Sequence, residues 1–369
     1  MQRNTPPFRA DQVGSILRTA PLKEARAKHE KGEIDDAALK AVEDAEIRKI
    51  IQKQEEVGLK SITDGEFRRS WWHFDFLKKL DGVEGYQASQ GIQFAGVQTR
   101  AEGVRIVGRI GFSTHPMIEH FKFLKANTKE TPKMTIPAPS VLHFRGGRKG
   151  ISEKVYPDLD QFFHDLGAAY NKAIKAFYDA GCRYLQLDDT VWAYLCSEKE
   201  LKLAKERGDE PEKLPMWYAR TINQALAGHP ADMTVTTHVC RGNFRSTWVS
   251  EGGYEPVAER LFGEVNYDGY FLEYDSDRAG GFEPLRFVPK GKKQVVLGLV
   301  TSKSGELESK DAIKRRIDEA TKYVALDQLC LSPQCGFASN FMGNPVTIED
   351  EKKKLALVVE TAREVWGSA

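Results

Sequence analysis

The sequence predicts one closed (β/α)8 TIM barrel over residues 1–369. Eight short apolar runs rich in β-branched residues recur along the chain, and amphipathic stretches at helical spacing lie between most of them. Alternating strands and helices favour parallel pairing, and the first run lacks the glycine-rich phosphate turn of an open doubly wound sheet. Eight such units without a linker favour a single barrel domain.

Each predicted strand ends at a polar residue or at glycine. In chain order the strands are ADQVGS ending at Ser15, LKSITDGE at Glu66, KMTIPAPS at Ser140, RYLQLDDT at Thr190, MTVTTHVC at Cys240, GYFLEYDS at Ser276, KQVVLGLVTS at Ser302 and DQLCLSPQCG at Gly336. The clearest helices are EDAEIRKIIQKQEEVG, DLDQFFHDLGAAYNKAIKAFYDAG and KDAIKRRIDEATKYV. The segment at about 81–131 breaks the alternation and is predicted as a β-hairpin insertion after the second strand.

The composition argues against several classes of partner. The chain has 54 Lys and Arg against 53 Asp and Glu, so its overall charge favours neither nucleic acid nor an anionic membrane. No apolar run is long enough to span a bilayer, and the amino terminus lacks the apolar core of a signal peptide. We therefore expect a cytoplasmic protein.

Its five cysteines, an odd number, are predicted to be buried thiols or metal ligands rather than a disulfide framework.

The carboxyl ends of the predicted strands are unusually polar. In a barrel of this kind the loops that follow the strands converge at one face and carry the functional groups. The polar residues at these ends are Ser15, Asp64, Glu66, Asp188, Asp189, His238, Cys240, Glu273, Asp275, Thr301, Lys303 and Cys335. The sequence therefore predicts a catalytic rim.

Four of these residues have the chemistry of a zinc site. His238 and Cys240 lie two residues apart on one strand, so both side chains project to the same face. Glu273 ends the next strand and Cys335 ends the last one. One imidazole, two thiolates and one carboxylate suit tetrahedral zinc better than magnesium or calcium. From spacing alone, a packed histidine beside a buried thiol remains an alternative.

The motifs THVCRGN, FLEYDS and LSPQCGF, with QVGS, DGE and LQLDD before them, resemble the catalytic half of cobalamin-independent methionine synthase. The chain is most similar to the short, single-barrel bacterial relatives of that enzyme, from Phe8 to Trp366. The resemblance implies zinc bound by His238, Cys240, Glu273 and Cys335, and homocysteine as the substrate. It further implies that Glu66 and Asp188 bind the substrate ammonium and that Ser15 meets its carboxylate.

Zinc would serve a thiol substrate because a free thiol, with a pKa near ~8.5, is mostly protonated at neutral pH. Coordination deprotonates the sulfur, and zinc adds no redox chemistry of its own. A second enzyme class, similar to epoxyalkane:coenzyme M transferase, would use the same activation on another thiol. A non-catalytic thiol-binding barrel is the third hypothesis.

The methyl donor is left open by the sequence. Where the synthase places a tryptophan against the folate ring, this chain reads APSVLHFRGG, and Phe144 is the nearest aromatic residue. Either 5-methyltetrahydrofolate or a methylcorrinoid protein is compatible with the zinc-bearing half, and a homo-oligomer is compatible with either. The roles of four residues near the rim are also open, namely Trp71, Trp72, Arg241 and Lys303.

Overall fold

The structure is a computed structural model that describes residues 2–87, 91, 93–94, 97–99 and 102–369. Its strands are β1 (Ser61–Ile62), β2 (Asp81–Gln87), β3 (Gln93–Phe94), β4 (Val97–Gln98), β5 (Glu102–Gly111), β6 (Thr131–Pro132), β7 (Met134–Pro137), β8 (Tyr184–Asp188), β9 (Thr234–Val239), β10 (Gly269–Glu273), β11 (Gln294–Val300) and β12 (Leu329–Pro333).

The helices lie mainly between the strands. They are α1 (Ala20–Glu30), α2 (Asp36–Val57), α3 (Phe74–Leu77), α4 (Pro116–Asn127), α5 (Pro139–Gly146), α6 (Leu159–Asp179), α7 (Val191–Tyr194), α8 (Glu198–Glu206), α9 (Leu214–Leu226), α10 (Glu255–Ala258), α11 (Lys310–Ala320) and α12 (Ile348–Trp366). Short 3-10 turns occur at Arg148–Gly150, Asp277–Ala279, Glu283–Phe287 and Leu326–Gln328, and a π-helical turn at Glu259–Glu264.

The fold is mixed α/β with a parallel sheet. Strands β7 to β12 form one sheet in consecutive order, and every pair in it is parallel. All residues of β8, β10, β11 and β12 are buried, as expected for strands covered on both faces. This sheet confirms the predicted alternation of strands and helices.

The first two predicted strands are shorter than expected. Within ADQVGS only Ala10 forms a parallel bridge, to Leu331 in β12, and within LKSITDGE only β1 is extended, paired in parallel with β6. The Ile16 N–H also donates to the Gly65 carbonyl at 3.1 Å. The assigned sheet therefore has six strands, and its closure into an eight-stranded barrel stays a prediction.

An inner layer of side chains packs along one face of the sheet. Phe271, Val296 and Cys330 lie in register on β10, β11 and β12, and they cluster with Val13 and Tyr184. The buried Lys133 ammonium lies 4.0 Å from the centre of the Phe271 ring. This close packing inside the sheet holds the strands in fixed positions, and with them the residues at their carboxyl ends.

The segment predicted as an insertion contains an antiparallel pair, β2 with β5. A second short pair, β3 with β4, lies between them, and α4 follows before the chain enters β6. The sequence predicts a hairpin over this whole segment, so helix α4 is a difference from that prediction. Part of the insertion, at 88–90, 92, 95–96 and 100–101, lies outside the described residues.

Among the helices that the structure describes, none is both long and apolar enough to cross a membrane.

Candidate metal centre

Three predicted ligands meet at the carboxyl edge of the sheet. His238 is the penultimate residue of β9, Cys240 follows that strand directly, and Cys335 lies two residues beyond β12. One ligand atom from each lies within 4.8 Å of the others, and the two sulfurs are 3.9 Å apart. All three residues are buried. An imidazole and two thiols at this separation suit a soft or borderline ion that prefers nitrogen and sulfur.

The pKa values of the three clustered side chains are shifted in different directions. Burial lowers the pKa of His238, but contacts with Asp188 and Cys335 outweigh it and raise that pKa to about 10. The contact with Cys240, together with His238, lowers the pKa of Cys335 well below its ordinary value. The same sulfur contact and burial raise the pKa of Cys240. Without a metal the cluster thus favours a thiolate on Cys335 and a thiol on Cys240.

Glu273, the fourth predicted ligand, lies outside this group. It is buried at the end of β10, and its two carboxylate oxygens accept from the Arg241 backbone N–H at 2.8 Å and from Arg278 Nη2 at 3.2 Å. Each of these oxygens keeps a second lone pair, so the contacts restrict the orientation of the carboxylate without excluding a metal. Its role as a ligand stays a prediction.

The cluster lines a cleft of about 560 Å³ that opens to solvent. Ser15, Glu66 and Asp188, which were predicted to bind the substrate, line the same cleft. The structure therefore brings six of the seven predicted site residues to one cavity. A small molecule in this cleft would meet acids, a hydroxyl and the candidate metal ligands together.

Glu66 is held by a constrained loop. Its backbone φ is 60°, a left-handed conformation that is uncommon for a residue other than glycine. Its carboxylate accepts from Thr135 Oγ1 at 2.8 Å and lies 3.7 Å from Arg69, while Arg18 donates to its carbonyl at 2.9 Å. Burial, with repulsion from Asp188, raises the pKa of Glu66. An ammonium group placed between Glu66 and Asp188 would offset that repulsion.

Asp188 joins the acidic side of the cleft to the metal cluster. Its Oδ1 atom accepts from Gln186 Nε2 at 2.7 Å and lies 3.6 Å from His238 Nδ1. A carboxylate beside a ligating histidine fixes the orientation and tautomer of the ring. Asp188 is therefore placed both to orient His238 and to contact a ligand in the cleft.

Ser15 contacts the loop that carries Cys335. Its hydroxyl accepts from the Ala338 N–H at 3.2 Å and its carbonyl from the Phe337 N–H at 2.9 Å. Gly336 directly precedes Phe337, and a Cβ atom added to it would lie 1.9 Å from Ser15 Oγ. Glycine is thus required where the two loops touch.

Other rim residues serve the framework. The Arg241 guanidinium is buried and donates to the Gly252 carbonyl and to Tyr254 Oη, and it does not line the cleft. Asp189 accepts from the Val191 N–H at 3.1 Å and so anchors the loop after β8. Lys303 donates to the Gly242 carbonyl at 3.3 Å.

The aromatic segment after Glu66 both lines the cleft and anchors its own loop. Trp71 stacks on Phe244 with ring centres 5.9 Å apart, and the Trp72 backbone N–H donates to the Ser339 carbonyl at 3.1 Å. His73 and Arg145 line the cleft as well. From the sequence, His73 is interpreted together with Trp71 and Trp72 either as an aromatic wall over the pocket or as an anchor of its loop. Arg145 has no predicted role, although its position after the third strand was a usable signal.

The fold and the site define an α/β protein with a thiol-rich candidate metal centre at the carboxyl ends of its parallel strands. The sequence model of the cobalamin-independent synthase catalytic domain matches residues 8–364. The chain belongs to that family, whose curated members include methyltransferases.

Individual relatives agree with this assignment. The uncharacterised protein YxjG of Bacillus subtilis is 56% identical over 367 residues, which cover 99% of this chain and 97% of that protein. A methionine synthase of Pyrococcus abyssi is 26% identical over 88% of this chain and 84% of its own length. A crystal structure from Listeria monocytogenes, provisionally assigned as a vitamin-B12-independent methionine synthase, superposes with a TM-score of 0.81. It has 48% sequence identity and covers 99% of this chain and 100% of its own.

Proposed function

We propose that this protein is a zinc-dependent methyltransferase that methylates the thiol of homocysteine to give methionine. The observation that carries the proposal is the meeting of His238, Cys240 and Cys335 in a cleft that also holds Ser15, Glu66 and Asp188. The family membership and the names of the relatives support the same reaction.

The donor set fits zinc, which would hold the substrate sulfur as a thiolate at neutral pH. His238, Cys240 and Cys335 would hold the ion, with Glu273 as the predicted fourth ligand. Asp188, 3.6 Å from His238, keeps the imidazole oriented. The proposed site therefore supplies a nitrogen, two sulfurs and, as the predicted fourth ligand, the carboxylate at the end of β10.

Glu66, Asp188 and Ser15 would bind the ammonium and carboxylate groups of homocysteine. Glu66 and Asp188 repel each other in the free protein, so a substrate ammonium between them is favoured. Ser15 would donate its hydroxyl to the substrate carboxylate. These contacts orient the thiol toward the metal ligands and exclude thiols that lack an ammonium group.

The methyl donor lies on a different wall of the cleft in this proposal. Phe144 is buried and packs on Tyr194 with ring centres 5.7 Å apart, so it does not offer a face to the metal cleft. Its neighbour Arg145 lines that cleft instead. Both 5-methyltetrahydrofolate and a methylcorrinoid protein remain donors to be tried.

The test is zinc-edge X-ray absorption on the purified protein, with and without homocysteine. We expect two sulfur and two nitrogen or oxygen ligands at rest and a third sulfur after homocysteine is added. A parallel sample with coenzyme M tests the epoxide-transferase alternative, and we expect no added sulfur there. A protein that takes up no zinc, or a shell unchanged by homocysteine, contradicts the proposal.

We also propose that the whole chain forms one closed barrel domain. The protein in this proposal is cytoplasmic and forms a homo-oligomer. Titration of homocysteine followed by turnover assays with each donor separates the enzyme from a barrel that only binds thiols. Binding without turnover, with either donor, would favour the binding barrel.

A further inference from the structure

The guanidinium of Arg18 is buried between two of the loops that carry the candidate site. The residue is 3% exposed, and it lies behind the wall of the metal cleft without lining it. Among the described residues, no carboxylate forms an ion pair with this guanidinium. A buried cation without a carboxylate is costly unless other polar groups compensate for its lost hydration.

Four backbone carbonyls supply that compensation. The Nη2 atom of Arg18 donates to the carbonyls of Glu66 at 2.9 Å and of Arg69 at 3.2 Å. Its Nη1 atom donates to the carbonyls of Ala338 and of Asn340, the latter at 3.0 Å. One nitrogen of the planar fork therefore serves the loop after the second predicted strand, and the other serves the loop after the last one.

The contact at Glu66 holds a turn that is unfavourable on its own. The φ angle of Glu66 is 60°, and a left-handed conformation at a residue with a side chain persists only where its surroundings hold it. The Glu66 carbonyl accepts from the Arg69 backbone N–H at 3.0 Å as well as from Arg18. The direction in which the Glu66 carboxylate enters the cleft therefore depends on this guanidinium.

The loop after the last strand has further ties that do not need the guanidinium. Asn243 Nδ2 donates to the Gly336 carbonyl at 2.9 Å, and the Ser15 carbonyl accepts from the Phe337 N–H at 2.9 Å. Both contacts lie closer to Cys335 along the chain than the two carbonyls that the guanidinium holds. Loss of the guanidinium should therefore disturb the acid of the second loop more than this metal ligand.

The charge of Arg18 acts in the same direction as its hydrogen bonds. Burial lowers the pKa of Arg18 to about 10, and the attraction of Glu66 opposes that effect, so the guanidinium stays charged at neutral pH. Burial raises the pKa of Glu66, and the charges of Arg69 and Arg18 counteract this rise. The ionised form of Glu66 is the form that attracts an ammonium group.

We propose that Arg18 is a positioning residue for substrate recognition, which holds Glu66 in the orientation that binds the homocysteine ammonium without touching the substrate itself. This inference rests on the proposed function, in which Glu66 is one of two acids that bind this group. Since Arg18 acts on the ammonium end of the substrate, its loss should have little effect on the thiol end or on metal binding.

A second buried arginine offers a matched control. Arg9 is also 3% exposed, and its Nη1 atom donates to the carbonyls of Asp327 at 3.1 Å and Leu329 at 2.6 Å. These carbonyls lie at the amino end of β12, and Arg9 does not line the metal cleft. Replacement of either arginine removes a buried guanidinium and its bonds to backbone, but of the two only Arg18 contacts the loop of Glu66.

The test compares Arg18→Met and Arg18→Lys with Arg9→Met, Arg9→Lys and wild type, each loaded with zinc. Titration calorimetry, well below the Tm of each protein, measures the Kd of homocysteine and that of 2-mercaptoethanol. Zinc content and the Tm are measured on the same samples. The difference between the two thiols reports on the charged groups of the amino acid, and the Tm reports on stability.

We expect Arg18→Met to raise the homocysteine Kd about tenfold or more, while the 2-mercaptoethanol Kd and the zinc content stay within about twofold. Arg9→Met should lower the Tm as Arg18→Met does, yet leave both Kd values as in wild type. Arg18→Lys should recover part of the affinity, because it keeps the charge but loses the planar fork that spans both loops.

If Arg18→Met does not fold, the two lysine variants carry the same comparison. Arg18→Lys should then raise the homocysteine Kd about threefold or more, and Arg9→Lys should not.

Two results overturn the inference alone. One is a homocysteine Kd that is unchanged in the folded Arg18 variants, or that changes equally in the Arg9 variants, since Arg18 would then contribute only to stability. The other is an equal loss for homocysteine and 2-mercaptoethanol, since Arg18 would then act on the thiol end. If wild type does not bind homocysteine, the proposed function fails, and the role of Arg18 fails with it.

Discussion

The sulfur atoms of Cys240 and Cys335 lie 3.9 Å apart, although 95 residues separate the two cysteines in the chain. Each follows a strand of the same parallel sheet, and the carboxyl ends of parallel strands meet at one edge. The sheet therefore builds the thiol pair, and no local motif is needed. Both thiols belong to the candidate metal centre, which gives the first prediction.

Cys335→Ser should remove most of the bound zinc while the fold stays intact, because an oxygen ligand replaces a thiolate and the core does not depend on this sulfur. Mass spectrometry measures the bound zinc, and far-ultraviolet circular dichroism checks that the fold is intact. The matched control is Cys196→Ser, which alters a half-buried thiol away from the cluster. A Cys335→Ser protein with full zinc and full activity would show that this residue is not a ligand.

Asp188→Asn should weaken homocysteine binding by about tenfold or more, and far more than it weakens binding of a simple alkyl thiol, because it removes a charge from the ammonium pocket. Calorimetric titration of both thiols measures the difference. Zinc content is measured in parallel, since Asp188 also lies 3.6 Å from His238. Equal losses for the two thiols would mean that Asp188 does not bind the ammonium group.

Glu273→Gln should lower zinc affinity by roughly tenfold or more if the carboxylate is the fourth ligand. Arg278→Gln provides the control, because it removes a donor to Glu273 at 3.2 Å and frees the oxygen for a metal. We expect the second variant to bind zinc at least as tightly as wild type in competition with a chromophoric chelator. Unchanged affinity in Glu273→Gln would restrict the protein ligands to His238, Cys240 and Cys335.

Glu351 should make stability depend on pH. Burial raises its pKa to about 8, and its Oε2 atom accepts from the Leu17 N–H at 2.8 Å. Between the unfolded and folded pKa values the folded state holds one proton more than the unfolded chain. The free energy of unfolding therefore falls as pH rises through that range, by at most about 1.4 kcal/mol per unit.

Glu351→Gln should remove this dependence while it keeps an acceptor for Leu17. Denaturant unfolding at pH 5.5, 6.5, 7.5 and 8.5 compares the two proteins, and their difference in stability should change steadily across the series. Parallel curves for wild type and variant would show that Glu351 does not titrate in this range.

Six of the eight predicted strands could be located because they are almost entirely buried and stand out in the sequence as short, largely apolar runs that end at polar residues or glycine. The first two could not be delimited. The chain around Ala10 makes one backbone bridge, and nearby polar side chains such as Asp11 and Gln12 replace ladder hydrogen bonds with side-chain contacts. Helix α4 was missed because the hairpin pattern before it dominated the whole segment.

The grouping of His238, Cys240 and Cys335 was predictable from strand periodicity and strand order. The direction of Arg241 was not, since a guanidinium beside a rim can point into the cleft or, as here, to Tyr254. The position of Glu273 was not predictable either, because its oxygens accept from the Arg241 backbone N–H and from the Arg278 side chain, and neither contact is visible in the sequence. The place of His73 in the cleft wall, with both ring nitrogens unpaired among the described residues, could be seen only in the structure.

The contact between Gly336 and Ser15 has a consequence for anyone who redesigns this protein. A single methyl group at Gly336 would collide with the Ser15 hydroxyl, so neither loop can be varied alone. A larger residue at position 336 should therefore be tolerated only when the residue at position 15 changes with it. The loops that carry Ser15 and Gly336 are thus expected to vary together in active variants.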